Sequence, residues 1–245
     1  MSAANLLCFP HAGGSSFYYE RWRSLFTARN IDLHIAPYPH RDRRINEPMP
    51  KLVQELAEDL YMRLMSELGG NYVTWGHSMG AIIAYEVTKR AIERLGNPPI
   101  LFTVSSSSAP CDAQFIDTKT LVTPDGIRRV LRRYGGVEEA ALVNRDFMEY
   151  FTPILVDDMM MLARYEDNQP AVLSCPLLLL EGSEDTSRIA FWEIYTSATS
   201  EVRFYPGGHF FITTHAREVA ATISHRLSAL TPKHSPFKLK SLRVE

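Results

Sequence analysis

The serine at position 78 is the centre of the pentapeptide Gly76-His77-Ser78-Met79-Gly80. A strand-like apolar run precedes it at residues 71–75, and a helix-like run follows it at residues 81–87. A G-x-S-x-G sequence between a strand and a helix is typical of a nucleophile elbow, a sharp turn that holds the serine hydroxyl above the edge of a sheet. One glycine lets the strand end tightly, and the other lets the helix pack close to a neighbouring strand, where a Cβ would collide. Ser78 is therefore the candidate nucleophile.

A nucleophilic serine needs a base within hydrogen-bond reach and an acid that orients the base. After an elbow of this kind the partners follow in the order Ser, Asp or Glu, His. His209 is the candidate base, because it ends the turn Pro206-Gly207-Gly208-His209 directly after a strand-like run at residues 201–205. His215 instead begins the last predicted helix. A loop histidine with a purely structural hydrogen bond is the alternative interpretation of His209.

Three carboxyl side chains near the end of the strand-like run at residues 176–181 are candidates for the acid. Asp185 is preferred because it lies a few residues past the strand end, so that a loop can bring it to the histidine. Glu184 is the second choice, and Glu181 still belongs to the strand. A solvated acidic loop is the alternative that the sequence leaves open.

Acyl transfer also needs N–H donors for the oxyanion of the tetrahedral intermediate. After a nucleophile elbow these are the amide that follows the serine and one amide from the loop after an early strand. Here they are predicted to be the amides of Met79 and Ala12. Gly13 and Gly14 would let the backbone of the loop at residues 10–14 face the site.

The elements around these residues predict one α/β domain with a mostly parallel sheet, because strand-like and helix-like runs alternate along the chain. The strand-like runs cover residues 6–9, 31–36, 71–75, 100–104, 176–181 and 201–205.

Between about residues 105 and 168 only helical patterns occur, at 124–134, 145–151 and 153–165. We predict that this insertion, which follows the strand at about 100–104, forms a helical lid over the carboxyl edge of the sheet, where ligands of open α/β sheets bind. Asp157 and Asp158 are expected at the surface of a lid helix or in a lid contact. Helices are also predicted near residues 190–198 and 215–230.

Length and composition bound the possible functions. A chain of 245 residues with 45% hydrophobic and 22% charged residues fits a single globular domain, which we place at residues 1–231, followed by a basic, mobile tail at 232–245. A formal net charge of −2 gives no overall attraction to nucleic acid or anionic lipid.

Cys8, Cys111 and Cys175 are odd in number and far apart, which fits neither a disulfide framework nor a zinc cluster. No apolar run approaches the roughly 18 residues of a membrane span, and no basic signal-like start is present, which predicts a cytoplasmic protein.

Two basic segments have no assigned chemistry. Residues 38–44 form a loop without periodicity, which we expect at the surface. Residues 127–133 carry two arginine pairs on one predicted helix. A solvated helix face is one interpretation of these arginines, and docking of an acidic protein through Arg129 and Arg133 is the other.

Five motifs in order resemble those of type II thioesterases of nonribosomal peptide and polyketide biosynthesis, which have the α/β-hydrolase fold. They are Phe9-Pro10-His11-Ala12-Gly13-Gly14, Pro39-His40-Arg41-Asp42-Arg43, Gly76-His77-Ser78-Met79-Gly80, Gly182-Ser183-Glu184-Asp185 and Pro206-Gly207-Gly208-His209-Phe210-Phe211. The resemblance covers residues from about 5 to 230. His11 departs from it where an aromatic residue is common, and His40 where glycine is usual, which puts the conformation of residues 37–44 in doubt.

The resemblance implies a stand-alone editing hydrolase that removes aberrant or stalled acyl or aminoacyl groups from the phosphopantetheine arm of carrier-protein domains. It implies a triad of Ser78, Asp185 and His209, oxyanion donors at Ala12 and Met79, and no metal or redox cofactor. It also implies carrier domains of a synthetase or synthase as partners, and a monomer. The rivals are a carboxylesterase or acyl-CoA hydrolase that acts on a free small molecule, and a non-catalytic small-molecule-binding protein of the same fold.

Overall fold

Six parallel strands form one sheet in the computed structural model, which describes residues 4–112 and 118–231. They are β1 (Ala4–Phe9), β2 (Ile31–Ile35), β3 (Tyr72–His77), β4 (Leu101–Ser105), β5 (Leu177–Gly182) and β6 (Ser200–Tyr205). Their order across the sheet is β2-β1-β3-β4-β5-β6, and every neighbouring pair is parallel. The predicted parallel sheet is confirmed.

Helices connect the strands. The α-helices are α1 (Ser16–Glu20), α2 (Arg23–Thr27), α3 (Val53–Arg63), α4 (Met65–Leu68), α5 (Met79–Leu95), α6 (Pro124–Tyr134), α7 (Glu139–Leu142), α8 (Arg145–Ala163), α9 (Phe211–Thr214) and α10 (Ala216–Leu230). Short 3₁₀ helices cover Asp42–Arg44, Pro110–Asp112, Thr118–Val122 and Ile189–Tyr195.

The segment Ile189–Tyr195 corrects the prediction of an α-helix near residues 190–198. Ile189, Trp192 and Tyr195 are all buried, and their spacing of three residues puts them on one face of a helix with three residues per turn. An α-helix would rotate them apart.

Both faces of the sheet are covered, which explains why its central strands consist mostly of apolar residues. All residues of β3, β4 and β5 are buried. One core contains side chains of α3 and α5, and the core on the opposite side contains side chains of α1, α10 and the segment between α1 and α2.

The register of the strands brings the predicted site to one edge. Phe9 at the end of β1 pairs with Gly76 in β3, and His77 pairs with Ser105 at the end of β4. Gly182 at the end of β5 pairs with Tyr205 at the end of β6. Because all strands run the same way, the loops that carry the candidate site residues leave the sheet on the same side.

The insertion between β4 and β5 is helical, as predicted, and α6 has the predicted bounds. The two helices predicted at residues 145–151 and 153–165 are instead one helix, α8, with Pro153 inside it. Proline removes one helical hydrogen bond, to the carbonyl group four residues earlier. Pro153 is exposed, so water can satisfy that carbonyl group, and the helix continues.

The expectation of a surface loop at residues 38–44 was wrong for two of its arginines. Arg41 is 1% exposed, and its guanidinium pairs with Asp158 of α8. Arg44 is also buried and donates to the Asp59 carboxylate and the Pro37 carbonyl oxygen, both at 2.6 Å. These carboxylate and carbonyl acceptors offset the free-energy cost of burying the two guanidinium groups.

Some predictions fall outside the part of the chain that the structure covers. The tail at residues 232–245 and the lid segment 113–117 belong to this group. Among the helices of the described residues, none has the length and apolar character needed to cross a membrane.

Candidate active site

Ser78 lies between β3 and α5 in a backbone conformation that few residues adopt, with φ of 54° and ψ of −124°. Its N–H donates to the carbonyl oxygen of Ser105 at 2.9 Å, which fixes the turn against β4. Gly80 allows α5 to approach β1, because a Cβ at this position would overlap the carbonyl oxygen of Phe9. The turn therefore has the strain and the close approach that the sequence motif predicts.

His209 and Asp185 form a hydrogen-bonded pair above β5 and β6. The distance from Nδ1 of His209 to Oδ2 of Asp185 is 3.0 Å, and both side chains are largely buried. Burial alone would raise the pKa of Asp185, but the hydrogen bond and charge of His209, together with further hydrogen bonds that include the Thr186 N–H, outweigh burial and lower this pKa. An ionised carboxylate only accepts hydrogen bonds, so Nδ1 carries the proton and Nε2 keeps the free lone pair.

The other two candidate acids do not contact the histidine. Glu184 is exposed, and its backbone N–H donates to the Gly207 carbonyl oxygen. Glu181 is buried and accepts a short hydrogen bond from the Ser187 hydroxyl. Burial raises the pKa of Glu181 to about 7, with the nearby charge of Asp185 acting in the same direction. Of the three carboxylates, the structure brings only Asp185 to His209.

The loop at residues 10–14, which we call the oxyanion loop, follows β1 and lies beside the elbow. His11 N–H points to the Tyr19 hydroxyl at 3.4 Å, and Gly13 N–H donates to Oδ2 of Asp158 at 2.7 Å. Between them, the N–H of Ala12 has no hydrogen-bond partner among residues 4–112 and 118–231. The second predicted donor, Met79, is the first residue of α5, where a helix amide has no acceptor within the helix.

Two further histidines pack against this group. The rings of His77 and His209 lie 5.3 Å apart, and those of His11 and His77 lie 5.8 Å apart. Burial, with a smaller contribution from the charge of His209, lowers the pKa of His11 to about 3 and that of His77 well below its ordinary value. Both side chains are therefore neutral near pH 7, and they can shape the site without charge.

A cavity of about 950 Å³ joins these residues. Ser78, Asp185, His209 and the oxyanion loop line its sheet side. Apolar side chains of α6 and α8 line the lid side, among them Leu131, Tyr134, Phe147, Phe151, Leu155 and Met159. Polar and charged residues, among them Glu20, Arg21 and Asp42, also line the cavity. Tyr134 packs on the ring of His209 with 4.9 Å between ring centroids. In the described part of the chain, no cluster of three or more His, Cys, Asp or Glu side chains is arranged to hold a metal ion. The arrangement suits nucleophilic attack by a serine on a substrate with an apolar acyl group.

Sequence reasoning did not identify Arg41, Asp158 or Tyr134 as neighbours of the site. Arg41 lies in one of the five motifs, which was a usable signal. Asp158 and Tyr134 lie on lid helices, and no local pattern distinguishes them from other helix residues.

Known proteins are similar to this chain at three levels: a family model, sequence and structure. The thioesterase domain family matches residues 4–227. The chain is 30% identical to thioesterase PikA5 of Streptomyces venezuelae over 236 residues, which is 92% of this chain and 82% of that protein. It is similar to the crystal structure of ClbQ from the colibactin NRPS/PKS pathway, with 26% identity, a TM-score of 0.85, and coverage of 94% of this chain and 98% of that one. It is also similar to RedJ, a thioesterase of prodiginine biosynthesis in Streptomyces coelicolor, with 27% identity, a TM-score of 0.82, and coverage of 91% and 90%.

The family match covers most of the chain, and the similar structures include a thioesterase that covers 91% of it. The chain therefore belongs to the thioesterase family, has the α/β-hydrolase fold, and is an enzyme that hydrolyses thioesters.

Proposed function

We propose that this protein is a type II editing thioesterase that removes aberrant or stalled acyl groups from the phosphopantetheine arm of carrier-protein domains. The observation that carries the proposal is the convergence of the Ser78 elbow, the Asp185–His209 pair and the unpartnered Ala12 amide on one apolar, lid-covered cavity. The similar structures support the pathway class, because they include a type II thioesterase of an NRPS/PKS pathway and a thioesterase of prodiginine biosynthesis. We further propose a single-domain, cytoplasmic monomer.

In the first half-reaction, Ser78 Oγ attacks the thioester carbonyl carbon while Nε2 of His209 takes the hydroxyl proton. The carbonyl oxygen becomes an oxyanion and accepts hydrogen bonds from the amides of Ala12 and Met79. Asp185 keeps the proton of the neutral ring on Nδ1 and stabilises the imidazolium that forms. When the intermediate collapses, the carbon–sulfur bond breaks, the pantetheine sulfur takes the proton from His209, and an acyl-serine ester remains.

In the second half-reaction, a water molecule attacks the ester carbonyl carbon and gives a proton to His209. The same two amides bind the new oxyanion. Collapse returns the proton to Ser78 Oγ and releases a carboxylic acid. The proposed cycle requires no redox cofactor, because hydrolysis changes no oxidation state. It requires no metal, because His209 transfers every proton and the two amides stabilise the oxyanion.

A carrier protein is the proposed source of the thioester, and α6 offers a surface for it. Arg129 and Arg133 of α6 are exposed, and neither forms an ion pair within the described residues, whereas Arg128 pairs with Asp125 and Arg132 pairs with Glu139. Arg133 neighbours Tyr134, which packs on His209. We propose that acidic groups of a carrier domain contact Arg129 and Arg133.

The direct test compares turnover of an acyl-carrier protein, the same acyl-CoA and a nitrophenyl ester, each with wild type and the Ser78→Ala variant. A type II thioesterase should show the highest kcat/KM with the carrier protein. A higher value for acyl-CoA or the ester would support the rival small-molecule hydrolases. Labelling of wild type by a fluorophosphonate, lost in Ser78→Ala, would exclude the binding-protein alternative; absence of labelling in wild type would favour it.

A further inference from the structure

Arg41 and Asp158 form an ion pair that is almost completely removed from solvent. The side chains are 2% and 0% exposed, and the two contacts measure 2.5 Å from Nη2 to Oδ1 and 2.8 Å from Nη1 to Oδ2. This geometry is bidentate, the arrangement that gives an arginine–carboxylate pair its strength and its fixed orientation. The pair joins α8 of the lid to the loop that follows β2.

The same two side chains bind the oxyanion loop. Oδ2 of Asp158 accepts the N–H of Gly13 at 2.7 Å, and Nη1 of Arg41 donates to the carbonyl oxygen of Gly14 at 2.9 Å. A backbone amide that donates to a carboxylate forms a charge-assisted hydrogen bond, stronger than one between neutral groups. The ion pair therefore holds the backbone immediately after Ala12.

Packing against α8 restricts the backbone conformation of the oxyanion loop. Gly13 has a φ of 75°, and a Cβ on it would lie 2.6 Å from the Phe151 ring of α8. Before Ala12, the Tyr38 hydroxyl donates to the Pro10 carbonyl oxygen at 3.1 Å, which anchors the other end of the loop. Hydrogen bonds therefore hold the backbone on both sides of Ala12, and Ala12 lines the cavity.

We propose that Asp158, oriented by Arg41, is a positioning residue that fixes the oxyanion loop, so that lid helix α8 and the oxyanion hole form one mechanical unit. The inference rests on the proposed function, in which Ala12 donates to the oxyanion. Loss of one such donor typically lowers turnover about 10²–10³-fold. Gly13 cannot serve as the donor itself, because its N–H is already bound to Asp158.

Two double variants isolate the hydrogen bond to Gly13 from the buried charge. Arg41→Met with Asp158→Asn removes both charges but keeps an amide oxygen that can accept the Gly13 N–H. Arg41→Met with Asp158→Leu removes the charges and the acceptor. Removing both members of a buried ion pair leaves no uncompensated charge and is often tolerated, so both variants are expected to fold. Asp157→Ala is the matched control. Asp157 is the adjacent residue of α8, and its carboxylate contacts His40 instead of the oxyanion loop.

The measurements are kcat and KM with an acyl thioester, the thermal unfolding midpoint, and the affinity for a trifluoromethyl ketone, which forms a tetrahedral adduct with a serine hydroxyl. The leucine variant should lose about 10²-fold in kcat and in ketone affinity with KM changed less than about threefold, while the asparagine variant and Asp157→Ala stay within about tenfold of wild type.

Equal kcat in the two folded double variants would overturn the positioning role, and so would a loss confined to KM. If the leucine variant does not fold, Arg41→Met with Asp158→Ala lacks the acceptor in the same way and replaces it. A wild type that hydrolyses no thioester would refute the proposed function itself, whereas an active wild type with an equally active leucine variant would refute only this inference.

Discussion

Nδ1 of His209 lies 3.0 Å from Oδ2 of Asp185, and the Glu184 carboxylate next to Asp185 faces solvent instead. Adjacent acidic residues at one strand end therefore have different surroundings. The Thr186 N–H also donates to the second oxygen of Asp185, at 2.7 Å, so this carboxylate is held at both ends.

Asp185→Asn should lower kcat by about 10⁴, because an asparagine at this position no longer holds the ring in the required tautomer. Glu184→Gln is the matched control and should leave kcat within about twofold of wild type. Steady-state kinetics with one thioester substrate measures both. A larger loss in Glu184→Gln than in Asp185→Asn would identify Glu184 as the acid.

Gly80→Ala should lower the free energy of unfolding by about 3 kcal/mol or more, because the new methyl group meets the Phe9 carbonyl oxygen and lies 2.7 Å from the Pro10 carbonyl oxygen. Neither backbone atom can move without shifting β1. Gly69→Ala is the control, because φ at Gly69 is −76° and the nearest atom to its Cβ is at an ordinary 3.4 Å. Denaturant unfolding should show the control unchanged or more stable by up to about 1 kcal/mol; equal losses would contradict the packing argument.

The free energy of unfolding should decrease as pH rises, because the buried Glu181 carboxyl loses its proton. Burial raises its pKa to about 7, whereas the unfolded chain loses this proton near 4.5. The folded state thus binds more protons between these values, and the unfolding free energy decreases by up to roughly 1.4 kcal/mol per pH unit in this window. Ser187 and Asp185 are the groups that face the Glu181 carboxyl.

Glu181→Gln removes the titration while it keeps an acceptor for the Ser187 hydroxyl. Its unfolding midpoint should match that of wild type near pH 5 and exceed it near pH 8. Parallel midpoints for the two proteins across this range would show that Glu181 does not titrate there.

Reversing the charges of Arg129 and Arg133 should raise KM for an acyl-carrier protein about tenfold and leave kinetics with a small thioester unchanged, because rim charges act mainly on association. The effect should shrink at high salt. Arg217→Glu on α10 is the control, an exposed arginine on a helix that packs on the sheet rather than in the lid. Equal losses with carrier-bound and small substrates would argue against docking at α6.

Local rules were enough to predict the sheet and the strand-end positions of Ser78, Asp185 and His209. The apolar runs mark the parallel strands, and parallel strands place their following loops at one edge. Gly76 also has a local cause, because a Cβ on it would collide with Cα of Ala81 in the same turn.

Local sequence rules could not predict contacts between residues that are far apart in the chain. Arg41 and Asp158 are 117 residues apart, and neither segment shows that its charge will be buried with the other. The continuation of α8 through Pro153 also depends on tertiary structure, because it requires that Pro153 be exposed to water. A proline in a helical pattern does not show whether it will be exposed. Tertiary contacts decided each of these features.

The most direct test of the central claim is intact mass spectrometry of a carrier domain loaded with short, branched or aminoacyl groups, before and after addition of the enzyme. Wild type should remove the mass of the acyl group and leave the phosphopantetheine arm on the carrier, and Ser78→Ala should leave the loaded mass unchanged. A loaded carrier that survives wild type, or is deacylated equally by Ser78→Ala, would contradict the claim.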